Sequence, residues 1–254
     1  MTWDPAQYLK FAGPRLQPAI DLLARVPLVA PAQIVDLGCG AGNVTALLAR
    51  RWPDAEIVGV DDSAPMLAQA RAELPQVRWE LGSIADWSPA VAPDLVFSNA
   101  ALHWLPDHPA LFARLVDRLA PGGVLAVQMP RNFEAPSHTL VADVARAGPW
   151  RDRLAPLLRP PPVATPADYY DWLAPRAAAL DLWETEYLQV LSGDDPVKEY
   201  TKGSFLRPFL DALAPDEGAA FEAEYAARVR AAYPRRADGR TLFPFRRLFL
   251  LLRR

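Results

Sequence analysis

Apolar and polar positions follow two rhythms along the first half of the chain, and each rhythm predicts one type of element. Short apolar or β-branched runs, typical of strands buried on both faces, are QIVDLG, AEIVGVD, VRWELGS, DLVFSNA and VLAVQMP. VTALLARRW has the apolar spacing of a helix, and SAPMLAQARAEL opens with a Ser cap followed by Pro65 and Met66, which is typical of a helix start. Strands and helices that alternate in this way indicate a parallel sheet covered by helices on both faces.

The pattern of apolar and polar positions changes after Pro130. The segment PLLRPPPVATP (residues 156–166) is too rich in proline for a regular helix. Next, DLWETEYLQVL (181–191) alternates like a strand, residues 194–233 favour helices with breaks, and TLFPFRRLFLLLRR closes the chain as another strand. The predicted fold class is therefore α/β: a doubly wound, mostly parallel seven-stranded sheet with helical insertions before and after its sixth strand.

Composition narrows the class of protein. The 254 residues, 51% of them hydrophobic, can bury a large core, and a net charge of -3 argues against nucleic-acid binding. Cys39 is the only cysteine and the three histidines lack HxxxH spacing, so neither a disulfide framework nor a metal site is expected. No apolar run could span a bilayer, and MTWDPAQYLKF does not resemble a secretory signal. We expect a cytoplasmic protein, a monomer, with no membrane partner.

Three glycines follow the first predicted strand. Gly38, Gly40 and Gly42 bring backbone N–H groups and a helix N-terminus toward a ligand at the carboxyl edge of the sheet. Asn43 stands where the dinucleotide fingerprint needs its third glycine, and no phosphate-binding G-x-x-x-x-G-K-[ST] motif is present. Asp61, at the end of the next strand and about 20 residues on, suits ribose hydroxyls. The pattern favours a nucleoside over a pyrophosphate, although glycines at such a place can simply turn the chain.

The stretch VDLGCGAGN, followed by GVDDS, resembles the first motif and the second-strand acid of class I S-adenosylmethionine (SAM) dependent methyltransferases. Further segments resemble the branch of that family that esterifies trans-aconitate: WDPAQYLKF, SNAALHWLPDH, AVQMPRNFEAPSH, FLRPFL and FPFRRLF. The resemblance covers nearly the whole chain. It implies a Rossmann-like fold that transfers a methyl group from SAM to one carboxylate, giving a monomethyl ester and S-adenosylhomocysteine.

The resemblance also divides the chain. We expect one methyltransferase domain over residues 1–254, with an N-terminal helical lid (1–30) and a SAM-binding core (31–130). Helical or loop insertions at 131–180 and 193–235 would form the substrate cap.

The cofactor contacts that the resemblance implies lie in the lid, the glycine loop and the ends of the second, third and fourth strands. They are Tyr8, Arg15, Asp36, Gly38, Gly40, Gly42, Asn43, Asp61, Asp62, Ser83, Ile84, Asn99 and Ala100. Phe11, like Tyr8, is expected to form part of the lid, although two aromatic residues three apart are equally typical of the buried face of a helix. Two positions depart from the family pattern, since Ser83 replaces a more usual Asp and Ala41 a more usual Pro.

A tricarboxylate needs cations, and arginine matches a carboxylate with two parallel hydrogen bonds. The predicted substrate contacts are Trp104, Asn132, His138, Tyr200, Arg207 and Arg247. Arg131 and Lys202 are further candidates, and Arg207 and Arg247 could equally be solvated surface residues. Since adjacent residues of a strand point to opposite faces, Arg246 and Arg247 cannot both enter one pocket, and the family pattern favours Arg247.

The chemistry needs no proton transfer. A carboxylate with a pKa near ~4 is ionised at neutral pH, so no catalytic acid or base is expected, and positioning is the main device. His103 is the nearest candidate for a base, but a structural role is the more usual one for such a residue.

Two other functions stay open. The first is methylation of another small or carrier-bound carboxylic acid. The second is a SAM-binding module without turnover.

Overall fold

The computed structural model describes residues 12–203 and 205–254. The strands are β1 (Gln33–Leu37), β2 (Glu56–Asp61), β3 (Arg78–Leu81), β4 (Leu95–Asn99), β5 (Val124–Pro130), β6 (Ala179–Leu191) and β7 (Thr241–Arg253). They form one sheet in the order β3-β2-β1-β4-β5-β7-β6. The first five strands pair in parallel and β7 pairs with β5 antiparallel, so the predicted mostly parallel, seven-stranded α/β sheet is confirmed.

The helices lie between and after these strands. They are α1 (Ala12–Arg25), α2 (Asn43–Arg51), α3 (Ala64–Glu73), α4 (His108–Asp117), α5 (Pro136–Ala147), α6 (Arg151–Leu154), α7 (Pro166–Leu173), α8 (Pro196–Lys202), α9 (Arg207–Asp211) and α10 (Pro215–Ala232). Short 3₁₀ turns occupy Leu102–Trp104, Ala155–Leu157 and Ala174–Arg176. None of the helices in the described part of the chain has the length and hydropathy needed to cross a bilayer.

The strand order reverses between β1 and β4. The chain first winds outward through β2 and β3, then returns to add β4 and β5 on the other side of β1. Open α/β sheets bind ligands beyond the carboxyl ends of the strands at such a switch point. The loops that follow β1 and β4 are therefore the expected ligand-binding loops.

Contacts divide the described residues into two compact units. The sheet unit contains Arg15–Pro130, Pro162–Thr185 and Arg247–Arg254. The helical unit contains residues 12–14, Arg131–Pro161 and Glu186–Arg246. Its core is an apolar cluster from α5, α8 and α10 and the nearby strand segments, including Val141, Phe221 and Phe243.

The predicted insertion at 131–180 is thus shared between the units. Thr165 and Asp168 form a capping box that starts α7, and Tyr169 of this helix hydrogen-bonds His108 of α4 inside the sheet unit. Both side chains are buried. This long-range contact explains why residues after Pro162 belong with the sheet.

Candidate active site

The loop after β1 is held by backbone bonds to the end of β2. Gly38 and Cys39 donate their N–H groups to the Val60 carbonyl at 2.8 and 3.1 Å. Gly40 donates to the Asp61 carboxylate at 2.8 Å. The chain then enters α2 directly after Gly42, so this loop joins two strand ends and a helix N-terminus in one place.

Each of the three glycines has a positive φ, between 54° and 82°, which side-chain-bearing residues rarely adopt. An added Cβ would lie 2.2 Å from Ala101 Cβ at Gly38 and 2.8 Å from the Trp79 ring at Gly42. At Gly40 it would meet nothing within 4 Å. Close packing therefore explains why Gly38 and Gly42 have no side chain. At Gly40 the space is open, and we call this space beside Asp61, which a side chain would fill, the nucleoside cradle.

Two carboxylates support this cradle. Asp36 is 1% exposed and accepts a hydrogen bond from Thr45 Oγ1 at 2.7 Å. Burial, with the nearby negative charge of Asp61, raises the pKa of Asp36 to about 7. Asp61 also accepts from the Ser63 N–H at 2.9 Å, and a carboxylate has enough lone pairs to accept ribose hydroxyls in addition. Asn43 and Asp62 lie exposed near the loop.

Ser83 and Ile84 form a tight turn after β3. The Ser83 hydroxyl accepts from the Ala85 N–H at 3.1 Å, so this side chain stabilises its own turn. Ile84 Cδ1 lies 3.4 Å from the position of a Cβ at Gly38, which puts an apolar side chain beside the glycine loop. An aromatic base fits such a wall.

The end of β4 carries backbone strain. Ala100 has a φ of 54° and donates its N–H to the Gln128 carbonyl at 2.9 Å. Asn99 Oδ1 is buried and has no hydrogen-bond partner among the described residues. Strain of this kind in a non-glycine residue clusters at functional sites, and an orphaned buried acceptor suits a ligand with N–H or O–H groups.

His103 and Trp104 follow in the 3₁₀ turn, with ring centroids 4.6 Å apart. His103 is buried, whereas Trp104 is 59% exposed. Burial and the positive charge of Arg247 lower the pKa of His103 to about 3. His103 is therefore neutral at physiological pH and too weak a base to take up a proton.

Arg246 and Arg247 lie on opposite faces of β7, as the alternation predicts. Arg246 is exposed and Arg247 is 5% exposed. Arg247 Nη1 donates to Gln128 Oε1 at 3.4 Å. The sheet unit therefore holds a buried guanidinium near the carboxyl edge of β5, because β7 runs antiparallel and pairs Arg247 with Pro130.

Three predicted substrate residues lie buried within the helical unit. Asn132 accepts from the Arg246 N–H at 3.1 Å and donates to Ser137 Oγ at 3.3 Å. His138 lies 3.0 Å from the same hydroxyl, and burial lowers its pKa to about 4. Tyr200 accepts from Gln189 Nε2 at 3.3 Å. These side chains bond within their own unit, so their contact with substrate stays a prediction.

Arg207 has a different environment. Its side chain is 50% exposed and donates to Asp211 one helical turn away at 2.8 Å. Tyr8 and Phe11 lie outside the described residues, as does the side chain of Arg15, whose backbone belongs to α1. The lid contacts therefore stay predictions as well.

Sequence reasoning missed two side chains. Thr45 bonds Asp36 from the next helix, and its signal is a polar residue placed on the buried face of VTALLARRW. Gln128 is 0% exposed, and its signal is a lone amide in the otherwise apolar strand VLAVQMP. Both signals are visible in the sequence, but the partner of each side chain is not.

Residues 34–123 match the family model described as "Methyltransferase domain". The chain is 54% identical to a curated trans-aconitate 2-methyltransferase of Azoarcus sp. (strain BH72), over 98% of each chain. It is 51% identical to the protein of the same name from Methylobacterium nodulans, over 99% of this chain and 98% of the relative.

Among solved structures, the YcgJ protein of Bacillus subtilis is similar in fold. Its TM-score is 0.59 at 15% identity, with 94% of this chain and 98% of that chain covered. The phosphoethanolamine N-methyltransferase 2 of Haemonchus contortus, solved with S-adenosylhomocysteine, has a TM-score of 0.54 at 15% identity, over 93% of this chain and 52% of that chain.

Proposed function

The chain belongs to the trans-aconitate 2-methyltransferase family, and we propose that it transfers a methyl group from SAM to one carboxylate of trans-aconitate. The observation that carries this proposal is the buried Arg247, held at the carboxyl edge of the same sheet unit that forms the nucleoside cradle. A buried cation near the carboxyl ends of the same parallel strands that carry the Gly40 loop suits an anionic acceptor.

The cofactor is SAM, and the residues of the sheet unit fit it. The Gly40 cradle and the remaining lone pairs of Asp61 suit the ribose, and Ile84 offers an apolar wall for the adenine. Asp36 and the orphaned Asn99 Oδ1 are acceptors for the cationic amino-acid end. SAM supplies a methyl group already activated by its sulfonium.

The acceptor side is built from a guanidinium and neutral polar groups. The fork of Arg247 matches a carboxylate bidentately, and a charge-assisted bond contributes about 1.5–3 kcal/mol. Trp104 offers an exposed apolar face in the same unit. Asn132, His138, Tyr200 and Arg207 are further proposed contacts with the acid.

The chain has no proton to move in this reaction. The acid is ionised at neutral pH with a pKa near ~4. Bound SAM would supply its methyl group to a carboxylate oxygen and leave as the neutral thioether S-adenosylhomocysteine, so no residue of the chain has to give or take a proton. The neutral His103 neither accepts nor donates a proton. The protein contributes by holding oxygen, carbon and sulfur in line, which can supply much of the rate.

We further propose that the protein acts in the cytoplasm as a monomer. The single, buried Cys39 supports a reducing compartment, where disulfides are rare.

Product identification tests the function. The protein is incubated with methyl-labelled SAM and trans-aconitate, and the product is analysed by mass spectrometry before and after alkaline hydrolysis. We expect a labelled monoester that releases labelled methanol. SAM binding without an ester from trans-aconitate would contradict the proposal, and turnover with another acid would then favour the alternative acceptor.

A further inference from the structure

Two orphaned buried side-chain atoms lie at facing positions on β4 and β5. Asn99 Oδ1 and Gln128 Nε2 have no hydrogen-bond partner in the described part of the chain. Such atoms are rare in folded proteins, because an unsatisfied buried group costs about 1–3 kcal/mol. A bound ligand that supplies the missing bonds explains both.

The sheet register places these groups on one face. Asn99 pairs with Gln128 across the parallel ladder, and Gln128 pairs with Phe249 across the antiparallel one. Directly paired residues point to the same side, as do residues two apart on a strand. Arg247, two residues before Phe249, therefore shares the face of Asn99 and Gln128.

The orientation of the Gln128 amide follows from its partner. A guanidinium is a donor only, so the amide oxygen must face Arg247, as the 3.4 Å contact shows. The amide nitrogen is then left with its two hydrogens, in a buried position. With its oxygen engaged by Arg247, the Gln128 amide has only N–H groups left to offer, as does the Arg247 guanidinium.

Donors and acceptors thus separate across this face. Asn99 offers an acceptor oxygen, which suits the ammonium of an amino acid, whereas Gln128 offers hydrogens, which suit a carboxylate. We propose that Gln128 is an acid-binding residue that donates through Nε2 to a carboxylate of the acceptor and holds the Arg247 fork through Oε1. This inference rests on the proposed function and adds a contact to its acceptor site.

Two substitutions separate acid binding from a purely structural role. Gln128→Leu removes both bonds. Gln128→Glu keeps an oxygen for Arg247 but replaces the donor with a negative charge. Because the new carboxylate would also neutralise Arg247, the deciding comparison is Gln128→Leu made in the Arg247→Met background. If Gln128 only holds Arg247, Gln128→Leu should leave the KM for the acid unchanged in that background.

The readouts are the KM for trans-aconitate, the Kd for SAM by calorimetry, and the Tm. We expect Gln128→Leu to raise the KM for the acid by about 10- to 100-fold and Gln128→Glu to raise it further, because like charges then meet. The Kd for SAM should change by less than about 3-fold in both. Ser98→Ala is the matched control: it removes a buried hydroxyl that donates to Leu37 from the neighbouring β4 position, and it should lower the Tm without changing the KM for the acid.

The outcomes separate the two claims. If the wild type forms ester and Gln128→Leu leaves the KM unchanged in the Arg247→Met background, the acid-binding role of Gln128 is wrong and the proposed function stands. A wild type that methylates no acid would overturn both. A further rise in the KM for the acid when Gln128→Leu is added to Arg247→Met, with unchanged SAM affinity, would support the role.

Discussion

The glycine loop of the sheet unit and the predicted acid residues of the helical unit are built in opposite ways. In the loop, Gly38 and Gly40 bond through their backbone to the end of β2. In the helical unit, the side chains of Asn132 and His138 bond Ser137, and that of Tyr200 bonds Gln189. The glycine spacing marks the loop in the sequence, whereas no local pattern marks the side-chain bonds of the helical unit, such as the bond between Asn132 and Arg246, 114 residues apart.

The largest expected effect comes from a substitution in the glycine loop, which is held by backbone hydrogen bonds. Gly38→Ala places a Cβ 2.2 Å from Ala101 Cβ at a φ of 75°. We expect it to cost about 2–6 kcal/mol of unfolding free energy and to abolish SAM binding, measured by urea unfolding and calorimetry. Gly239→Ala is the control, because its φ is 80° but its Cβ would meet nothing within 4 Å. If both variants lost the same unfolding free energy, the close contact between Gly38 and Ala101 would not be the reason for the glycine.

The second largest effect concerns the protonation of the buried Asp36 carboxyl beneath the glycine loop. Because burial raises the pKa of Asp36 from 3.8 to about 7, the native state binds its proton more tightly than the unfolded state. The stability that this proton contributes is present below about pH 4 and is lost as the pH rises through 7. Asp36→Asn, which keeps an acceptor for Thr45, should remove a decline of a few kcal/mol between pH 4 and pH 8. Urea unfolding of both proteins without SAM checks this, and identical pH slopes would contradict it.

The third effect comes from replacing Arg247, the proposed acid-binding side chain of the sheet unit. Arg247→Met should raise the KM for trans-aconitate by about 100-fold, since a desolvated, charge-assisted bond is lost, while the Kd for SAM stays within about 3-fold. Arg246→Met is the matched control on the exposed face of the same strand, and its KM should stay within about 3-fold. Steady-state kinetics on the pair checks this. Equal effects of the two substitutions would remove the assignment of Arg247.

The smallest effect belongs to Arg207. Its exposed ion pair with Asp211 is worth about 0.5 kcal/mol or less, so Arg207→Met should scarcely change the unfolding free energy. We expect a smaller rise in the KM for the acid than in Arg247→Met. Asp211→Asn, which breaks the ion pair and keeps the arginine, separates the pair from the cation. A rise in KM as large as that of Arg247→Met would contradict this ranking of the two arginines.

Much of the fold could be predicted because its signals are local. The apolar runs of β1, β2, β4 and β5 are buried on both faces, and each signal lies inside the strand it predicts. The glycine spacing and Asp61 could be interpreted for the same reason. The alternation of β7 correctly separated Arg246 from Arg247.

Long-range partners could not be predicted in this way. Nothing in the segment around Tyr169 names His108 as its partner, although that contact places α7 with the sheet. Likewise, Gln128 and Arg247 meet only because β7 pairs antiparallel with β5. The side-chain part of the candidate site therefore emerges only from the sheet register.

Acceptor selectivity tests the central claim most directly. The kcat/KM of the wild type is measured with SAM and trans-aconitate, cis-aconitate, isocitrate or a monocarboxylic acid, with a reaction lacking acceptor as the blank. We predict the highest kcat/KM for trans-aconitate and the lowest for the monocarboxylic acid, which lacks the additional carboxylates for Arg247 and the proposed neutral donors. A monocarboxylic acid methylated as efficiently as trans-aconitate would contradict the account.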